Sequence, residues 1–191
     1  MPHPLHLVAG AWLAAVAPQE APAIDLIAEF EAICLASRGG VAGVEATAQA
    51  RGYVPREATQ EEEAGSDRGD PPPRVWARGE DDAEVRVVAA PGRMKGPGPW
   101  LSVDRCYIAG PGDLSAARAG AGRLTGVDSF RQRDTAVFAW RPTPEGPRAI
   151  RQAQFERHAV RMLREQGLQL VLVSQTTDGV TMSYVVAAPR T

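Results

Sequence analysis

Two runs near the C-terminal end constrain the fold most. Residues 168–174 and 180–187 alternate apolar and polar side chains at a period of two, and Thr177-Asp178-Gly179 between them is a turn sequence. Strands joined by so short a turn run antiparallel. The pattern recurs upstream. Residues 75–78 and 84–90 read as strands joined across Gly79-Glu80-Asp81-Asp82, residues 100–109 as a third, and residues 136–141 and 147–150 as a hairpin around Thr143-Pro144-Glu145-Gly146.

Helical spacing falls between these hairpins. Asp25 opens a helix with Leu26, Ile27, Phe30, Ile33, Cys34 and Ser37 on one face, stopped by Gly39-Gly40. A second helix follows to Gly52. Asp113 caps a third that ends near Leu124, and residues 151–166 form a fourth, with Phe155, Ala159, Met162 and Leu163 inward and Gly167 as its stop. Because the strands come in adjacent pairs, parallel βαβ units are disfavoured. The expectation is an α+β fold: an antiparallel sheet built from hairpins, with helices packed mainly on one face.

Residues 5–17 are largely apolar, too short to span a bilayer but the length of a signal-peptide core, and Ala21-Pro22-Ala23 supplies a cleavage pattern. No Lys or Arg precedes that core. The reading is a signal peptide over residues 1–23, a single domain over 24–191, and a periplasmic or secreted location. No integral membrane segment is expected after leader removal. In an oxidising compartment Cys34 and Cys106 are expected to form a disulfide. They are too far apart for a C-x-x-C redox or zinc motif. Residues 56–74 have almost no large apolar side chain, three consecutive glutamates and three consecutive prolines, which predicts a solvated, mobile, acidic and Pro-rich loop.

Composition removes several functions. With 21 basic and 23 acidic side chains the net charge is −2, so nothing pulls the chain toward nucleic acid. Lys95 is the single lysine; the remaining basic residues are arginine, a bias that also tracks a GC-rich genome. The histidines are His3, His6 and His158, so behind the leader a multi-His metal site is excluded. Lys95 precedes a glycine and lacks phosphate-loop spacing, and Pro111 spoils Gly110-Pro111-Gly112 as a phosphate cradle. Neither G-x-S-x-G nor H-E-x-x-H occurs. No cofactor and no metal are called for. Glu80, Asp81, Asp82 and Glu84 read as a solvated turn, with a weak cation site as the alternative.

The candidate binding residues lie on the last helix, where Arg157, Arg161 and Arg164 share one face beside His158. Arginines within two turns suit an anionic ligand. Trp76, Trp100 and Trp140 fall on or beside strands and are expected to pack the sheet, or to mark a groove if exposed together.

The segment Phe30-Glu31-Ala32-Ile33-Cys34, followed by a small helix ending Ala50-Arg51-Gly52-Tyr53 and later by a single Cys, resembles the start of small exported proteins of unknown function from GC-rich proteobacteria. The resemblance implies export and a shared fold, and no catalytic residue. The function expected is a binding or structural protein of the envelope whose partner is an envelope protein or an anionic ligand. The alternatives are a small exported hydrolase using His158 with Asp104, and an inhibitor or immunity-type module that binds another protein.

Overall fold

The computed structural model describes residues 24–64, 70–94, 100–177 and 179–187. The expected signal peptide lies outside the described residues.

Among the described residues ten strands form one antiparallel sheet. They are β1 (Val54–Arg56), β2 (Arg74–Arg78), β3 (Val85–Ala89), β4 (Gly92–Met94), β5 (Leu101–Gly110), β6 (Phe130–Gln132), β7 (Thr135–Thr143), β8 (Gly146–Ala149), β9 (Gln169–Thr176) and β10 (Gly179–Ala187). The order is β1-β2-β3-β5-β10-β9-β7-β6; β4 pairs with the first part of β5, and β8 with the last part of β7. Pro91 supplies no amide donor, which separates β3 from β4 along the same flank of β5.

Side chains alternate between the two faces. One face carries Cys106 and Ile108 of β5, Met182 and Tyr184 of β10, Val171 and Val173 of β9, and Phe138 and Trp140 of β7. It is covered by α1 (Leu26–Phe30), α2 (Val41–Ala50) and α4 (Leu114–Thr125). Asp25 caps α1 by accepting from the amides of Ile27 and Ala28. α1 then widens into a π turn at Glu31–Leu35, where Ile33 and Cys34 are both fully buried. There the expected disulfide is present: Cys34 is bonded to Cys106 on β5, with Cα atoms 5.4 Å apart. The bond ties the first helical segment to a central strand.

The opposite face carries Val103, Val185, Leu170, Val137 and Ala139, covered by α5 (Gln152–Gln166) through Phe155, Met162 and Leu163. So α5 packs against the sheet on the side away from α1, α2 and α4.

Residues 65–69 of the expected 56–74 loop lie outside the described residues, and its described parts hold regular structure. Arg56 belongs to β1, Arg74 to β2, and Gln60–Ala64 form the short helix α3. The sequence Thr59-x-x-Glu62 is a capping box: the Thr59 amide donates to Glu62 Oε2 at 2.7 Å, and the Glu62 amide donates to Thr59 Oγ1 at 3.3 Å. Glu62 is buried and paired with Arg56 at 3.3 Å. Apolar content alone missed this because a charged side chain, held by a capping box and an arginine, docks the segment.

Candidate anion-binding cleft

The β7–β8 hairpin builds this site. Thr143 Oγ1 donates to the Gly146 carbonyl at 2.8 Å, and Gly146 has φ +118°, a conformation that favours glycine. This turn fixes the register: Thr143 opposite Gly146, Pro142 opposite Pro147, Arg141 opposite Arg148, and Trp140 opposite Ala149. Trp140 faces α1 and α4, so Arg141 and Arg148 stand on the other face, beside α5. The Ile150 amide donates to the Ala139 carbonyl at 2.8 Å, tying the exit of β8 to β7. Arg151 follows as the N-cap of α5 and makes no capping hydrogen bond with its side chain.

A cleft of about 400 Å³ opens here, lined by Arg141, Arg148, Ala149, Ile150, Arg151, Gln154 and Gln166. Three arginines line it and, among the described residues, no acidic residue does. Among the described residues none of the three is in an ion pair; Arg141 Nη1 donates to Gln166 Oε1 at 3.3 Å. Like charges directly opposite on neighbouring strands destabilise a sheet, so Arg141 facing Arg148 is a local cost that the fold itself leaves uncompensated. Gln154 and Gln166 stand at the two ends of α5, twelve positions apart, or roughly 18 Å along a helix.

The residues singled out from sequence lie elsewhere on α5. Arg157, His158 and Arg161 are exposed and Arg164 is half-buried, and none lines this cleft. Asp104 shares the face of Cys106, whereas α5 packs on the other face, so the sheet lies between Asp104 and His158. Burial pushes the Asp104 carboxyl above the ordinary range. Trp76 and Trp140 are buried in the core, while Trp100 is 52% exposed beneath the Arg93 guanidinium, 5.6 Å from its ring centre. The tryptophans thus form no shared groove.

Two further charged clusters are built into the fold. The buried Glu29 carboxylate accepts from Arg51 Nε at 2.7 Å, Arg51 Nη2 at 3.0 Å and Arg78 Nη2 at 2.8 Å. Burial alone would raise its pKa; the hydrogen bonds from the two arginines outweigh burial and hold it below the usual range. Arg78 also lies over the Tyr53 ring at 4.6 Å. The acidic turn Asp81–Ala83 opens onto a cleft of about 450 Å³ with Glu84, Arg86 and Thr177. Among the described residues no group of three or more His, Cys, Asp or Glu side chains is placed to hold a metal ion.

The sequence held a signal for the arginine cleft. A turn over residues 143–146 puts 141 opposite 148 by counting alone. Reading arginine abundance as a genome bias hid it.

Comparison of the chain with protein-family models, with curated proteins and with solved structures finds no match.

Proposed function

We propose that the protein is a disulfide-stapled binding module that works outside the reducing cytoplasm and holds an anionic ligand in the cleft between β7, β8 and α5. The observation that carries this reading is the convergence of Arg141, Arg148 and Arg151 in one cleft with no acidic partner. Guanidinium groups match carboxylate, phosphate and sulfate oxygens two at a time. An anion here would offset the repulsion that the bare hairpin carries. Export is supported by the apolar segment with its Ala21-Pro22-Ala23 pattern, by the Cys34–Cys106 bond and by the resemblance of residues 30–53 to exported proteins. Among the described residues no helix is long and apolar enough to cross a membrane.

The test is thermal unfolding at constant ionic strength with sulfate, phosphate or a dicarboxylate added. A bound anion raises the midpoint, because a ligand at one hundred times its Kd stabilises by about 2.7 kcal/mol. Arg148→Gln should abolish that rise, and Arg157→Gln should keep it. A rise that survives Arg148→Gln and disappears in Arg157→Gln would return the site to the exposed face of α5. For export, intact mass after alkylation should show a chain starting at Ile24 with no free thiol until reduction. A full-length chain with two free thiols would overturn it.

A further inference from the structure

The cleft is rich in donors and poor in acceptors. Its charged lining is arginine alone: Arg141 from β7, Arg148 from β8 and Arg151 from the segment before α5. Arginine donates hydrogen bonds and accepts none. α5 adds two carboxamides. The Gln166 oxygen accepts from Arg141 at 3.3 Å and keeps a second lone pair. Gln154 and Gln166 carry the acceptor oxygens of the lining side chains, and both are neutral carboxamides. The charged residues Glu156, Arg157, His158, Arg161, Arg164 and Glu165 of α5 stand outside the lining.

Resting on the anion reading above, we propose that the cleft selects oxyanions that carry no proton: a sulfuryl group, or a phosphoryl group in its fully ionised form. A protonated oxyanion must donate its O–H to something, and this lining offers neutral carboxamide and backbone oxygens but no carboxylate, the strong acceptor such a group needs. It also brings less negative charge to three guanidinium groups. A fully ionised group presents acceptors only and satisfies the donors on every side. A cleft of about 400 Å³ has room for more than a lone tetrahedral ion, which favours an ester carried on a larger molecule.

The test is calorimetric titration of the full chain with sulfate, inorganic phosphate and phosphoserine at pH about 5 and about 8. These values bracket the second ionisation of a phosphate monoester, near 6. The lining holds no carboxylate, histidine or thiol, so sulfate affinity should stay within about twofold. Phosphoserine should bind about two- to fivefold more tightly at the higher pH, the worth of one added charge at an exposed pair. Inorganic phosphate still carries one proton there, so phosphoserine should also bind more tightly than inorganic phosphate and, as an ester, more tightly than sulfate. Arg148→Gln should weaken every anion at both pH values.

The outcomes separate the two claims. Phosphoserine binding that depends on Arg148 but does not strengthen with pH would overturn proton selection and leave the anion site standing. Equal affinity for phosphoserine and inorganic phosphate at the higher pH would also overturn proton selection, because inorganic phosphate still carries a proton there; sulfate binding as tightly as phosphoserine would overturn the ester and assign a free ion. Binding of neither anion, or binding untouched by Arg148→Gln, would overturn the anion reading and this inference with it.

Discussion

Replacing both cysteines, Cys34→Ala with Cys106→Ala, should cost the fold about 4 kcal/mol. The bond joins residues 72 apart. Releasing a loop of that length restores conformational entropy to the unfolded chain, worth about 4 kcal/mol in the chain-entropy model. A domain of this size has roughly 5–15 kcal/mol in total. The variant should therefore still fold, with a midpoint lower by about 8–16 °C. Urea unfolding, followed by tryptophan fluorescence, measures it: the midpoint falls and the denaturant slope rises, because the uncrosslinked unfolded chain exposes more surface. Both sulfurs are completely buried between the π turn and β5. A reductant should leave the native bond intact and cleave it only as denaturant opens the fold. A loss under about 1 kcal/mol, or ready reduction of the native protein, would refute the claim that this bond staples the first helical segment to the sheet.

Other substitutions probe other parts of the account. Glu29→Gln should cost about 2 kcal/mol or more, because a buried carboxylate with arginine partners is lost, moderated by the partial exposure of Arg51 and Arg78. The folded pKa of Glu29 lies below its ordinary value, so its contribution is full above the unfolded value, near 4.3, and fades as pH falls through the folded one. Acid titration of stability should show that limb in wild type and a weaker one in the variant. Burial pushes Tyr184 up to about 12, and Tyr53, whose burial is joined by the charge of Glu29, higher still. Both favour the neutral form, so stability should decline once the unfolded chain ionises above pH about 10, most visibly as a falling urea midpoint. Gly120→Ala would set a Cβ 2.5 Å from Ile27 Cδ1 and 2.8 Å from its Cγ1, forcing α4 from α1 at a cost of about 1–3 kcal/mol. Gly122→Ala meets only Phe138 at 3.7 Å and should stabilise by up to about 1 kcal/mol through helix propensity. Arg148→Ala should stabilise the ligand-free protein by a few tenths to about 1 kcal/mol by relieving its opposition to Arg141, while removing anion binding; calorimetric melts with and without sulfate read both effects.

The long elements were legible because their side chains state their environment. The alternation of residues 180–187 marks β10, at the centre of the sheet, and Phe155, Met162 and Leu163 mark the buried side of α5. The short strands β1, β4 and β6, three residues each, were missed because so short a run has no period and forms by pairing with a distant partner. α3 was hidden by its charge, although Thr59 and Glu62 carried the capping signal. That α5 takes the opposite face from α1, α2 and α4 is a tertiary fact that no local pattern encodes. The binding site moved for a related reason. Arg157, Arg161 and Arg164 are neighbours along one helix, whereas Arg141, Arg148 and Arg151 meet only once a hairpin register and a helix position are combined.

The most direct test of the arginine cleft is the arginine side-chain Nε–H spectrum of the labelled protein during sulfate titration. The account predicts that the signals of Arg141, Arg148 and Arg151 move together along one saturating curve, while those of Arg157 and Arg161 stay in place. Saturable movement of Arg157 and Arg161 instead, or no saturable movement of Arg141, Arg148 and Arg151, would contradict it.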